Sequence, residues 1–477
     1  MEKNNKQILW YNLAFMAFST VWGFGNVVNG FVYFNGVQAI FSWLLMFGLY
    51  FVPYALMVGE LGSTFKTEGG GVSSWIQNTT TNKLAYYAGW TYWVVHMPYI
   101  AAKASGGLKA LSWVVFQNSS LYDGLDIRLV QCITLAVFLF FSYVASRGLN
   151  PLKILATVAG TSMFVISILF ILLMMAAPVI NPNGGYQQID WSIGNFIPNF
   201  RFEYFTSLSI LVFAVGGCEK ISPYVNKVKD PAKGFPKGMI FLAIMVIVCA
   251  ILGSISLGRM FDVNEINANF DSYVSNGAYW SFQKLGNYYG IGNTFMIIYA
   301  LCNMVGQLST LVVSIDAPLR MLLDSDTAKD YIPHALLKKN KKGAYINGIW
   351  LVVAIVTPLI IIPMLGIKSV TAFLRFLTQL NSVCMPLRYL WVFAAYIALR
   401  KSMDKFQSEY KFVKNQAIAK FFGVWCFFVT AFSCTLGMFK GSPFEITMNI
   451  ITPIALVGLG AIMPLLAKRN KLTVSAE

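Results

Sequence analysis

The stretch "VWGFGNVVNG", residues 21–30, sits inside an apolar run long enough to cross a bilayer, yet it carries Gly23, Gly25, Asn26, Asn29 and Gly30. A helix in lipid must satisfy its own backbone hydrogen bonds, so residues that loosen it there need a reason. Without side chains to protect the helix, Gly23-Phe24-Gly25 can unwind and free backbone N–H groups at the start of a half-helix. That terminus, with its partial positive charge, suits a carboxylate. The alternative is close packing, in which small residues let helices approach and Asn26 and Asn29 bond across the interface. A second interruption favours the binding-site explanation: "FAVGGCE" carries Phe213, Ala214, Val215, Gly216, Gly217, Cys218 and Glu219 within another apolar run. Glycine-broken spans in corresponding places of two halves point to a repeat-built transporter with its site near the midplane.

Around these breaks the 477-residue chain is 57% hydrophobic and 12% charged. Divided at polar or Gly/Pro-rich breaks, using ~20 residues per crossing, it yields about twelve transmembrane helices. They fall near 8–31, 36–61, 85–114, 126–146, 152–178, 203–225, 236–260, 288–322, 345–365, 369–398, 418–439 and 445–467. The predicted fold is an all-α integral membrane protein with helices 1 and 6 broken. The breaks lie five spans apart, and an odd number of spans per repeat inverts one half relative to the other. Residues 8–178 and 203–398 therefore read as two inverted five-helix repeats, spans 1–5 and 6–10. Two further helices at 418–467 complete a single transporter domain, 1–477.

The net charge of +16 does not point to nucleic acid, because the basic residues are spread along the chain. Lys3 and Lys6, Lys66 and Lys83, Arg147 and Lys153, Lys227 to Lys237, Lys329 to Lys342, Arg400 to Lys420 and Lys468 to Lys471 all fall on one side. The opposite loops hold Asp123, Asp190, Glu265 and Asp271. The positive-inside rule then places both termini in the cytoplasm of a cell-membrane protein. All seven cysteines fall in apolar segments without zinc-ligand spacing and read as packing residues.

A few polar side chains inside the spans mark candidate chemistry. Glu219 is a proton-responsive candidate, or an acid neutralised by Lys220 or by a neighbouring backbone. In span 3, His96 lies about 15 Å deep by the rise of ~1.5 Å per residue. It is a relay or substrate contact, or a group bonded to a neighbouring helix; Lys103 is expected to snorkel to the outer surface. Arg375 and Arg388 lie in span 10, and Arg388 needs a partner, either Glu219 or substrate. Asn303, Gln307 and Thr310 recur at helical spacing in span 8, where they line a path or tie helices together. Asp316 and Arg320, one turn apart, read as a structural pair. No hydrolase elbow, phosphate loop or zinc cluster appears, so neither an enzyme nor a nucleotide-driven pump is expected, and no cofactor. The intramembrane charges lean positive, favouring an anionic or zwitterionic substrate.

In order and spacing these segments resemble the amino acid, polyamine and organocation transporter superfamily. Gly23 and Gly25 match its first-helix signature, and "FAVGGCEKISPYVNKVKDP" its sixth helix, ending at Lys229-Asp230-Pro231. "GELGSTFKTEGGGVSSWI", Gly59 to Ile76, resembles the second helix and following loop. "APLRMLLDSDTAKDYIPHALLKKNKKGAYINGI", Ala317 to Ile349, is similar to the eighth helix and its loop, and "YLWVFAAYIALRK" to the end of the tenth. Within the superfamily the chain is most similar to the glutamate/GABA antiporter branch. The resemblance implies alternating access, with substrate carboxylate on the backbone of Phe24 and Gly25. The substrate amino group would meet carbonyls around Phe213 to Gly216, and Glu219 would act in gating or pH response.

The implied partners are an amino acid, its decarboxylated amine as candidate counter-substrate, and the lipid bilayer. The alternatives are a sensor or channel on the same scaffold, or a proton-coupled symporter. Two departures stand out. Phe24 replaces the small hydroxyl residue that many relatives carry between the glycines, implying a narrower or differently shaped pocket. Ser162 and Met163 stand where some proton-coupled relatives place a lysine.

Overall fold

Spans 1 and 6 stop in mid-course, each beside a glycine. The computed structural model describes residues 8–69, 71–147, 150–324 and 328–474. Lys3 and Lys6, two of the charges that mark sidedness, lie outside the described residues. Span 1 is two helices, Trp10–Val21 and Phe24–Tyr33, joined through Trp22 and Gly23 in extended conformation. The unwinding therefore falls at Trp22-Gly23, earlier than the predicted Gly23-Phe24-Gly25. Phe24 and Gly25 already belong to the second helix, whose first turn is closed by Asn26 N–H on the Gly23 carbonyl at 2.9 Å.

Span 6 runs as Phe202–Val215, breaks at Gly216 and Gly217, and resumes as 3-10 turns over Cys218–Lys227. Gly217 has φ +112°, a conformation that excludes most side chains. Pro223 lies inside the second half; lacking an N–H and crowding the carbonyl four residues back, it keeps that half out of the α pattern.

The remaining spans are 2 (Gln38–Thr64), 3 (Asn82–Val94 and His96–Phe116), 4 (Ile127–Ser146), 5 (Asn150–Ile180), 7 (Pro231–Gly258) and 8 (Thr294–Leu323). Spans 9 (Ile346–Leu365), 10 (Val370–Lys401), 11 (Gln416–Gly437) and 12 (Pro443–Val474) complete the set. Among the described residues, ten helices are long and apolar enough to cross a membrane by themselves. Span 1 is cut in two, and span 3 is diluted by His96, Lys103 and Lys109. A helix at Phe270–Tyr288 precedes span 8, which starts at Thr294 and not at 288. Its mixed polar and aromatic residues supply no crossing-length apolar run, so the sequence reading did not place it.

Helix pairings recur with an offset of five spans. Spans 1 and 5 pack together as 6 and 10 do; 5 packs on 8 as 10 packs on 3; 4 packs on 8 as 9 packs on 3. The pairs 2 with 7, 3 with 8 and 4 with 9 close the pattern. Lipid tails give no hydrophobic drive for such pairs, so close approach supplies the attraction. A Cβ at Gly62 would lie 2.4 Å from Phe235 across the 2–7 pair, and one at Gly107 2.6 Å from Leu308 across the 3–8 pair.

The loop between spans 10 and 11 is clamped to the end of span 2. Buried Glu60 accepts hydrogen bonds from Arg400 at 2.5 Å, Tyr396 at 3.1 Å and the Phe412 amide at 2.9 Å.

Candidate substrate site between the two broken spans

The half-helix Phe24–Tyr33 begins without a capping side chain, so its first-turn amides lack the partners that a cap would supply. The space beside that terminus is open. A Cβ built on Gly23 or Gly25 would meet nothing within 4 Å. Both glycines are partly exposed, although Trp22 and Phe24 on either side are buried. The Phe24 ring turns away into a cluster with Phe170, Phe282 and Tyr299, at centroid distances of 4.6, 4.8 and 5.8 Å. Aromatic partners on other helices hold the ring and anchor the half-helix.

Asn26 stitches the two breaks together. Its Nδ2 donates to the Val21 carbonyl and to the Ala214 carbonyl, each at 3.1 Å. Thr20 Oγ1 reaches the Gly217 carbonyl at 3.5 Å. On the span 6 side, the Phe213 carbonyl takes the Gly216 amide at 3.3 Å, and among the described residues the Val215 and Gly216 carbonyls take no backbone hydrogen bond. Gly216 faces Tyr389 so closely that a Cβ would fall 2.1 Å from its ring.

Beneath the breaks lies a buried charged cluster. Arg388 Nε stands 2.9 Å from Glu219 Oε1, both groups being buried. Tyr54 donates to the other oxygen of Glu219. Arg388 Nη1 donates to His96 Nε2 at 3.0 Å, and His96 Nδ1 lies 2.6 Å from the Tyr92 carbonyl. Because guanidinium and carbonyl fix both ends, His96 carries its proton on Nδ1 and is neutral in this arrangement. The guanidinium lies between the rings of Tyr92 and Tyr389, at 5.2 and 5.1 Å. Glu219 is thus engaged by Arg388 and Tyr54, while Lys220 turns elsewhere.

Lys103 does not snorkel outward. Its ammonium lies 4.6 Å from the centroid of Tyr99, one turn back along span 3, where the face of the ring attracts a cation. Lys220 approaches the same ring at 5.4 Å, and the ring reaches Phe213 at 6.5 Å. Asn303 and Gln307 form a polar chain: Asn303 donates to Tyr279 at 2.8 Å and Gln307 to Asn303 at 3.0 Å. Gln307 also borders Gly106 of span 3.

Arg375 lies away from the breaks, near the start of span 10. It pairs with Asp271 at 2.7 Å and Glu445 at 2.5 Å, so it ties helices and does not belong to the cluster. Asp316 and Arg320 pair one turn apart, as expected. At the end of span 8, partial burial pulls the Asp324 carboxyl up. Hydrogen bonds from Lys339 at 2.7 Å and Tyr345 at 2.6 Å outweigh that pull and hold it below the usual carboxylate range. The sequence reading missed Tyr54, Tyr92, Tyr99 and Tyr389; the i, i+4 pairs Tyr92/His96 and Tyr99/Lys103 were its available signal.

A twelve-span bundle with two helices broken face to face around open backbone is the architecture of a secondary transporter. The chain belongs to the amino acid permease family, whose model matches residues 8–460. It is 48% identical to the aspartate/glutamate permease AcaP of Lactococcus lactis subsp. cremoris, over 98% of this chain and 97% of that one. It is 24% identical to the inner membrane transporter YjeM of Escherichia coli, over 84% and 83% of the two chains. The glutamate/gamma-aminobutyrate antiporter of L. lactis subsp. cremoris is 23% identical over 52% and 48%. The chain is therefore an amino acid transporter of the superfamily that the sequence resembles.

Proposed function

We propose that the chain exchanges acidic amino acids across the cell membrane by alternating access around the two breaks, with both termini cytoplasmic. The observation that carries this reading is the uncapped start of Phe24–Tyr33, opening on the space beside Gly23 and Gly25. There the Phe24 and Gly25 amides receive the α-carboxylate, and the Val215 and Gly216 carbonyls receive the α-ammonium group. The surroundings are cationic: Arg388, Lys220 and Lys103 stand against Glu219. The name of the relative AcaP supports the choice of acidic substrates. The five-span offset of helix pairings supports two inverted repeats at 8–178 and 203–398, with 418–467 outside them. Arg388 holding Glu219 supports exchange over proton symport, because it keeps that carboxylate occupied as an ion-pair partner.

The test is counterflow in proteoliposomes. Labelled aspartate should enter faster when the vesicles are preloaded with unlabelled aspartate or glutamate. A decarboxylation product should stimulate less, since it gives up the contact with the Phe24 and Gly25 amides. Equal uptake with and without preload would overturn exchange, and no saturable uptake of either acid would overturn the substrate class.

A further inference from the structure

Lys103 and Lys220 approach one ring, Tyr99, from two different spans. Both side chains are partly exposed, although Ala104, Ala214 and Cys218 around them are buried. Among the described residues, Glu219 beside Lys220 is already engaged by Arg388 and Tyr54, and no carboxylate bonds either lysine. One aromatic face attracts a cation but cannot neutralise two. Like charges brought together in a partly desolvated space repel, and an anion between them relieves that repulsion.

We propose that Lys103 and Lys220 form the subsite for the side-chain carboxylate of the substrate, making them the residues that select acidic amino acids over their neutral amides. This rests on the reading that acidic amino acids are carried, and it assigns the second carboxylate that distinguishes them. Each carboxylate oxygen accepts from one ammonium group, and Tyr99 holds both lysines in place. Lys103 stands on span 3 and Lys220 on the inner half of broken span 6. A bound acid therefore draws these two spans together, which a neutral amide does not do.

The experiment compares aspartate with asparagine. In thermal-shift titrations of the wild-type protein, aspartate should stabilise at concentrations at least tenfold lower than asparagine. Lys103→Gln and Lys220→Gln should each raise the KM for aspartate at least tenfold while leaving asparagine nearly unchanged, and Lys103→Arg should keep the preference for acid. Folded glutamine variants that keep wild-type discrimination would overturn the subsite, as would equal stabilisation of the wild type by both compounds. A wild type that transports a neutral amino acid and ignores aspartate would overturn the acidic-substrate reading itself, a result distinct from active wild type with unaffected variants.

Discussion

Gly25 and Gly216 both sit at a helix break, and their surroundings predict opposite failures. A side chain at Gly25 enters open space, so Gly25→Val should leave the protein expressed with a near-normal unfolding midpoint. Transport should be lost, because a branched side chain stands over the amides. Gly216→Ala drives a methyl into the Tyr389 ring, and overpacking of this kind costs ~1–3 kcal/mol, visible as a lowered midpoint in detergent. Wild-type transport by Gly25→Val would remove that face from the site. Arg388 gives a third case at this scale. Arg388→Met strands a buried carboxylate, a loss of ~3–5 kcal/mol for such pairs. Adding Glu219→Leu should recover most of the midpoint, and failure to recover would show that the guanidinium acts mainly through His96 and the tyrosines.

Spans 1 and 6 are joined at more than one level. At the break Asn26 and Thr20 cross between them. At the far end the Ile8 amide donates to the Lys227 carbonyl at 3.2 Å, and the Lys229 amide donates to the Ile8 carbonyl at 2.8 Å. Asn26→Ala should cost about 1 kcal/mol, the net worth of a typical hydrogen bond, with a raised KM as the breaks lose register. An unchanged KM with the stability loss would make Asn26 purely a tie. Much of this element pair was legible in the sequence. Two closely spaced glycines followed by a polar residue interrupt apolar runs at 23–26 and 216–219, so the breaks and their five-span separation could be read directly. The pairing of Arg388 with Glu219 was only one of two readings, since spacing along the chain does not say which helices meet. Where Lys103 points was misread, because a long side chain follows the nearest favourable surface, and the Tyr99 ring lies inward. Nor could the sequence say what Phe24 packs against, since the cluster that holds it comes from spans 5 and 8 and from the Phe270–Tyr288 helix.

At the scale of the molecule, the helix Phe270–Tyr288 is held to the bundle through Arg375, which reaches Asp271 on that helix and Glu445 on span 12. Arg375→Gln releases both contacts, so amide exchange across 270–288 should quicken while that of span 2 stays slow. Unchanged exchange would assign the docking of this helix to its aromatic contacts, among them Tyr33 with Phe270 at 5.0 Å. The backbone join at Ile8 and Lys227 has a consequence for the order of events in a transport cycle. Two half-helices fastened there and again at their breaks share one displacement, so the kinetic scheme loses the intermediates in which either swings away alone. Opening on that face should then follow a single exponential with one rate, whichever of the two half-helices carries the reporter.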